Sequence, residues 1–230
     1  MRLDIYVKNI MNISRTEAAG LIERGFVRHN GTAVKKPAFQ TEGEGITVDK
    51  KGLIPYYSRG GLKLEKGLDF FEIDIEGKIC LDIGASTGGF THCMLLRGAE
   101  KVYAVDVGRE QLAAELKADK RVISMEQTNI LNVEGFESEP DFAACDVSFV
   151  SLTKILKKAY ELLSERGEGV FLIKPQFETG KGSIGKNGVC KDAKVHLRVI
   201  KDVKAFAESV GFNVKGLTFS PIRGGEGNIE

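Results

Sequence analysis

Four charged residues of the 230-residue chain fall at or near the ends of short apolar runs. Asp82 lies in Lys78-Ile79-Cys80-Leu81-Asp82-Ile83, Asp106 follows Lys101-Val102-Tyr103-Ala104-Val105, Asp146 closes Asp141-Phe142-Ala143-Ala144-Cys145, and Lys174 closes Gly169-Val170-Phe171-Leu172-Ile173. The first run passes directly into Gly84-Ala85-Ser86-Thr87-Gly88-Gly89-Phe90. That spacing, G-x-x-x-G-G, is not the dinucleotide fingerprint G-x-G-x-x-G, and no Gly-Lys-Ser/Thr follows as a P-loop requires. A carboxylate just ahead of the bend disfavours a pyrophosphate and suits a ligand that is cationic or rich in hydroxyls and amines. Lys174, with Pro175 behind it, holds an ammonium close to acids. On these residues alone, a structural ion pair, or a lysine reaching for water, accounts for it better than chemistry does.

The elements that carry these residues alternate. Runs 78–83, 101–106, 121–125, 141–146 and 169–174 read as strands, and helical spacing lies between them. Leu152, Ile155, Leu156, Ala159, Leu162 and Leu163 recur with helical period, as do Val195, Val199, Val203, Phe206 and Val210 ahead of Gly211. Apolar strands alternating with helices predict an open, largely parallel sheet covered on both faces, with ligands bound beyond the carboxyl ends of its strands. S-adenosylmethionine has a sulfonium, an α-amine and a ribose diol but no phosphate, and fits a bend of this chemistry. Asp106 is then placed to accept both ribose hydroxyls. The bend from Gly84 through Ser86, Thr87, Gly88, Gly89 and Phe90 lets backbone approach the methionine part. Asn129, after the third strand, is a candidate for adenine, and a plain loop residue explains it nearly as well.

The start of the chain has a different character. Residues 1–66 hold 12 Lys and Arg against 7 Asp and Glu, while residues 67–230 hold 21 against 25, so a basic head precedes a mildly acidic body. That asymmetry points the head towards a polyanion. Leu3, Ile5, Val7, Ile10 and Met11 read as a first helix. Ser14-Arg15-Thr16-Glu17 is a capping box that opens a second, with Ala18, Leu21 and Ile22 inward and Gly25 as its stop. Phe26-Val27-Arg28-His29 reads as a strand, Asn30-Gly31 as a hairpin turn, and Gly45-Ile46-Thr47-Val48 as a last strand. Residues 50–57, with Gly52 and Pro55, read as a linker between a head of residues 1–49 and a body of residues 58–230. The Gly- and Lys-rich stretch Glu178–Lys191 reads as an RNA-facing lid.

Over residues 1–49 the pattern R-L-D…S-R-x-x-A-x-x-L-I-x-x-G-x-V-x-x-N-G-x-x-V-x-K-P resembles the RNA-binding module of ribosomal protein S-four (the alpha-L motif). The resemblance implies phosphate and polar contacts from Arg15, Arg24, Arg28, His29, Asn30, Lys35 and Lys36. Ser58-Arg59-Gly60-Gly61-Leu62-Lys63-Leu64, L-D-I-G-A-S-T-G-G-F, D-V-S-F-V-S-L, K-P-Q-F-E and the closing G-N-I-E are similar to the haemolysin A/TlyA family. That family joins the alpha-L module to an FtsJ (RrmJ)-type methyltransferase. The implied fold is a Rossmann-like class I methyltransferase sheet with a small N-terminal α+β domain. The implied activity is S-adenosylmethionine-dependent 2′-O-methylation of cytidine in ribosomal RNA, with ribosomal subunits as partners. It also implies a Lys-Asp-Lys-Glu tetrad at Lys63, Asp146, Lys174 and Glu230, and an RNA contact at Arg59. The pattern would continue past Glu230 into a final strand beside the fifth, and the short start leans towards the large subunit.

Composition narrows the alternatives. With 42% apolar and 28% charged residues the chain can bury a core. No run of 18 apolar residues exists, and Met1-Arg2-Leu3-Asp4 does not begin a signal peptide. Cys80, Cys93, Cys145 and Cys190 stand apart, as reduced thiols of a cytoplasmic protein do, with no zinc-site or disulfide spacing. A membrane-permeabilising cytolysin and a non-catalytic RNA-binding assembly factor are the competing classes. The former lacks a spanning segment or a basic amphipathic helix.

Overall fold

Both bonds of the expected capping box form at Ser14. Glu17 N donates to Ser14 Oγ (3.2 Å) and Ser14 N donates to Glu17 Oε2 (2.8 Å), which starts helix α2 (Arg15–Glu23). Helix α1 (Leu3–Met11) lies against it. Gly25 (φ +83°) ends the pair, and Asn30 and Gly31, both left-handed, fold β1 (Val27–His29) back into β2 (Thr32–Ala33). Strand β3 (Ile46–Val48) pairs with the other side of β1, giving an antiparallel sheet in the order β2-β1-β3. Leu3, Val7, Ala18, Leu21, Ile22 and Val27 form its core. Asp4, buried at the start of α1, accepts from Arg2 Nη2 (2.9 Å) and Arg15 Nε (3.0 Å), so it joins the two helices. The Arg2 guanidinium, seconded by Arg15, holds its carboxyl below the usual range against the opposing effect of burial.

The computed structural model describes residues 1–180, 184, 185, 187–224 and 227–230. Two compact units divide it, Met1–Pro55 and Tyr56–Glu230. In the second unit, five parallel strands lie in the order β6-β5-β4-β7-β8: β4 (Ile79–Ile83), β5 (Lys101–Val105), β6 (Val122–Met125), β7 (Phe142–Cys145) and β8 (Glu168–Phe171). Chain order reverses between β4 and β7, which opens a crevice beyond their carboxyl ends. Side chains alternate across the sheet. Leu81, Ile83, Tyr103, Val105, Ala143 and Cys145 meet Leu152, Ile155, Leu156, Val199, Val203 and Ala207 from α6 (Leu152–Leu162) and α8 (Ala193–Val210) in one core. The opposite face takes α3 (Gly60–Phe70) and α4 (Gly89–Leu96), with Gly67 of α3 set so close to Val170 that a Cβ would lie 2.9 Å from its Cγ1. Two short helices, α5 (Ala114–Ala118) and α7 (Pro175–Glu178), complete the unit. No helix among the described residues is long and apolar enough to cross a membrane.

Three local features differ from the sequence reading. Helix α3 was legible only as a motif: it opens on two glycines and carries a third, which obscures its period. The fifth strand stops at Phe171 rather than Lys174. Its last ladder bond runs from Leu172 N to Cys145 O, and its one described neighbour, β7, ends at that cysteine. Residues 50–52 are not bare linker but a short 3-10 turn, in which Gly52 O accepts from Arg24 Nη2 (2.6 Å). Of the expected lid, Lys181, Gly182 and Lys186 lie outside the described residues.

Candidate active site

The glycine bend is held open from below. Gly84 (φ +86°) packs its bare Cα against the Asp146 carbonyl, where an added Cβ would sit 3.1 Å from that oxygen. Gly88 (φ +96°) caps α4, whose first N–H groups have no partner inside the helix, while Gly84 N and Ala85 N donate to Val105 O and Gly88 N donates to Ala85 O. Asp106 stands across from them. Its Oδ2 accepts from Ser86 N (2.8 Å) and its Oδ1 from Gly108 N (2.7 Å), which fixes the carboxylate while each oxygen keeps a second lone pair for a hydroxyl. Ser86 and Thr87 are exposed at the rim, and Gly89 and Phe90 are buried at the start of α4. Asn129 turns its Oδ1 onto Leu131 N (3.0 Å), capping the 3-10 turn Ile130–Asn132.

Asp82 lies wholly buried beneath the bend. Thr91 Oγ1 donates to its Oδ2 (2.6 Å), and its Oδ1 has no partner among the described residues. Burial pushes this carboxyl up to about 7, and the Thr91 bond only partly offsets it. An orphaned acceptor of this kind is suited to an amine or ammonium. With the two glycines and the pinned Asp106, it makes a bend whose chemistry fits S-adenosylmethionine.

Beside the bend, four residues from four distant points of the chain form an alternating row of charge. Lys174 Nζ lies 2.6 Å from Asp146 Oδ1, in an ion pair whose approach is too oblique for a hydrogen bond. It donates instead to Ser148 Oγ (3.0 Å). Asp146 Oδ2 accepts from Lys63 Nζ (3.2 Å), and the same ammonium donates to Glu230 Oε2 (2.6 Å). Gln176 Nε2 reaches Glu230 Oε1 (3.4 Å). The Lys63, Asp146, Lys174 and Glu230 side chains are 10%, 18%, 10% and 2% exposed, so two cations and two anions compensate one another with little help from water. Lys63 comes from the first turns of α3, whose opening Gly60 leaves room beside Asp146 Oδ2. Asp146 itself continues the parallel ladder, its N–H bonded to Ile83 O (3.1 Å).

The sequence reading left out the groups that hold this row in place. Ser148 supports the Lys174 ammonium, Gln176 supports Glu230, and Glu178 bridges to the start of α6. Ser148 and Gln176 sit inside motifs already singled out, but their partners are 26 and 54 residues away, so no local signal marks them. Phe149, 90% exposed and left-handed (φ +65°), lies over Phe177 with ring centres 4.9 Å apart. The cysteines take no part: all four are free and buried, and burial pushes Cys80, Cys93 and Cys145 up to about 12, far from thiolate formation. A cavity of about 740 Å³ beside β8, lined by Phe71, Leu156, Val170, Phe212 and Leu217, is mostly apolar and meets the candidate site only at Lys63, Phe90 and Glu230. Its size alone does not mark a ligand site.

In the first unit, Lys35 and Lys36 are exposed, and Arg28 is exposed with Nη1 on Gly31 O (3.3 Å). Arg15 commits its Nε to Asp4 but keeps much of its guanidinium outside. Arg24 is tied to Gly52 O and lies over the Phe26 ring. His29 packs against Phe39, with Asn30 Nδ2 3.4 Å from its Nε2. In the second unit Arg59 is exposed at the N-cap of α3.

The parallel sheet with its order reversal, the glycine bend and the acid closing the second strand define a methyltransferase. Residues 56–230 match the FtsJ-like methyltransferase family and residues 1–44 match the S4 domain, and the chain belongs to that methyltransferase family, with an S4 domain at its start. A provisionally named rRNA methyltransferase YqxC of Bacillus subtilis (strain 168) is 44% identical over 100% of this chain and 83% of its own length. The 16S/23S rRNA (cytidine-2′-O)-methyltransferase TlyA of Mycobacterium tuberculosis is 40% identical over 94% of this chain and 82% of its own. A provisionally named hemolysin of Streptococcus thermophilus, a solved structure, superposes with a TM-score of 0.77 at 44% identity, covering 100% of this chain and 85% of that one.

Proposed function

We propose that the chain is a cytoplasmic enzyme that methylates the ribose 2′-hydroxyl of cytidine in ribosomal RNA, with S-adenosylmethionine as donor and ribosomal subunits as substrate. The observation that carries this reading is the buried row Lys174–Asp146–Lys63–Glu230 set against the glycine bend. When bound, S-adenosylmethionine supplies an electrophilic methyl group on a sulfonium. Asp82, Gly84, Gly88 and Asp106 would hold it, with Ser86, Thr87, Gly89, Phe90 and Asn129 around them.

A ribose hydroxyl is a poor nucleophile near neutral pH and must lose its proton as the methyl moves. Lys174 Nζ, in its amine form, orients the hydroxyl and takes that proton, becoming an ammonium that Asp146 is already placed to stabilise. Lys63 shares Asp146 and Glu230, so it sets how much of the Asp146 charge faces Lys174. Ser148 keeps the amine at the mouth of the row. Holding hydroxyl and methyl in near-attack geometry lowers the barrier further. The basic residues of the first unit, Arg28, Lys35 and Lys36 foremost with Arg15, Arg24, His29 and Asn30 beside them, would grip phosphates and polar edges of folded RNA, and Arg59 would add to this from the second unit.

The decisive experiment is transfer of a radiolabelled methyl group to unmethylated ribosomal subunits, with the modified riboses mapped. Lys174→Ala is expected to abolish transfer while calorimetry shows S-adenosylmethionine affinity within a few-fold of the parent. Loss of cofactor binding along with activity would assign the lysine a structural role instead.

A further inference from the structure

The loop carrying Asp146 and Ser148 has little regular support of its own. After the Asp146 N–H bond to Ile83 it leaves the sheet, and at Phe149 it adopts a left-handed conformation that an aromatic residue rarely takes. Val147 and Val150 pack on the core and Asp146 Oδ2 accepts from Lys63, and the loop's other side-chain ties come from the segment that bears Lys174. At one end of α7, Lys174 holds Asp146 and Ser148. At the other, Glu178 Oε2 accepts from Ser151 Oγ (2.7 Å) and Glu178 Oε1 accepts from Leu152 N (2.7 Å). The Phe149 and Phe177 rings meet between these two ties.

Donor counting shows how much depends on that carboxylate. It can only accept, so the single Ser151 proton goes to Glu178. The contact between Ser151 Oγ and Thr153 Oγ1 (2.7 Å) must therefore be donated by Thr153, and Thr153 N donates to Ser151 Oγ as well (3.3 Å). Leu152 N is one of the helix-start N–H groups with no partner inside α6, and the positive end of an 11-residue helix favours an anion there. Glu178 thus anchors the far end of the catalytic loop to the far end of the turn that presents Lys174.

We propose that Glu178 is a positioning residue for Lys174: by spanning from α7 to the N-terminus of α6 it sets the spacing between the lysine and the Asp146–Ser148 loop. This rests on the reading of Lys174 as the group that takes the hydroxyl proton. The test compares Glu178→Gln with Glu178→Asp in the full chain. Glu178→Gln loses the charge but keeps the reach and both contacts, with the amide oxygen accepting from Leu152 N and the amide N–H donating to Ser151 Oγ while Ser151 turns its proton to Thr153 Oγ1. Glu178→Asp keeps the charge but shortens the reach. Single-turnover methyl transfer to unmethylated ribosomal subunits is measured at saturating S-adenosylmethionine, with cofactor affinity by calorimetry. A misplacement of order 1 Å costs about 10²-fold in rate, so Glu178→Asp is expected to fall by about that factor. Glu178→Gln is expected to stay within a few-fold of the parent, and cofactor affinity to hold in both. Equal rates for the two variants, an Asp variant faster than the Gln variant, or cofactor binding lost in step with rate would overturn the proposal. Lys174→Ala in the same assay separates the two levels. If it turns over like the parent, the reading of the lysine fails; if it is dead while Glu178→Asp is unimpaired, only the positioning role fails.

Discussion

Lys63 is the cation on which two carboxylates depend. Removing it leaves Asp146 and Glu230 close together, with Glu230 almost wholly out of water. Breaking one side of a buried ionic set costs roughly 3–5 kcal/mol. Lys63→Met is therefore expected to destabilise the fold by about that much in urea, and adding Glu230→Gln to recover part of the loss, as coupled partners do. Additive losses would show that the two residues do not sense each other. Asp82 gives a prediction of opposite sign. Its carboxyl is pushed by burial from 3.8 up to about 7, so between those values the folded chain holds a proton that the unfolded chain has released. The Asp82 contribution to stability is thus full below pH 4, declines as pH rises, and is lost by about pH 7, a span on the order of 4 kcal/mol. Asp82→Asn has no such pH dependence. Relative to the parent its melting temperature should gain more at pH 8 than at pH 5, while its S-adenosylmethionine affinity falls; equal gains at the two pH values would mean the carboxyl is ionised throughout.

At the scale of elements, the site depends on how closely the bend after β4 can approach the loop after β7. Gly84 makes that approach possible twice over, by its positive φ and by the missing Cβ that would press on the Asp146 carbonyl. Left-handed backbone alone costs a non-glycine residue about 1–2 kcal/mol. Gly84→Ala is expected to weaken S-adenosylmethionine binding by about tenfold or more, by lifting the bend from the loop, while Gly77→Ala, at another positive φ but in open space, should leave affinity unchanged. Calorimetry on both variants checks this, and equal effects would mean backbone strain alone is at work.

For the whole molecule, charge divides the labour. The first unit carries exposed Arg28, Lys35 and Lys36 in and beside a small antiparallel sheet, and the second carries the compensated row Lys174–Asp146–Lys63–Glu230. If Lys35 and Lys36 each neutralise a phosphate, replacing both with Glu should lower RNA affinity across sequences and flatten the dependence of log affinity on log salt by about two. Cofactor affinity, set in the second unit, should not move. An unchanged salt slope would take these lysines out of the RNA interface.

The sequence by itself determined whatever depends on near neighbours. Ser14 and Glu17 specify a helix start because both partners lie within one turn, Asn30-Gly31 specifies a hairpin because both backbone conformations belong to those two residues, and five short apolar runs between helical spacings specify a parallel sheet because helices must cover both of its faces. The same residues place Asp82, Asp106 and Asp146 at strand ends, where ligands of such sheets bind. Tertiary structure alone decided which charges meet. Lys63 and Glu230 are 167 residues apart, and only the packing of α3 against the sheet brings an ammonium within 2.6 Å of that carboxylate. It also decided where the fifth strand ends, because a strand extends only while its neighbour offers hydrogen bonds, and it gave Glu178 its place at the head of α6. Ion pairing and capping of this kind act at contact distance, and distance along the chain carries no record of them.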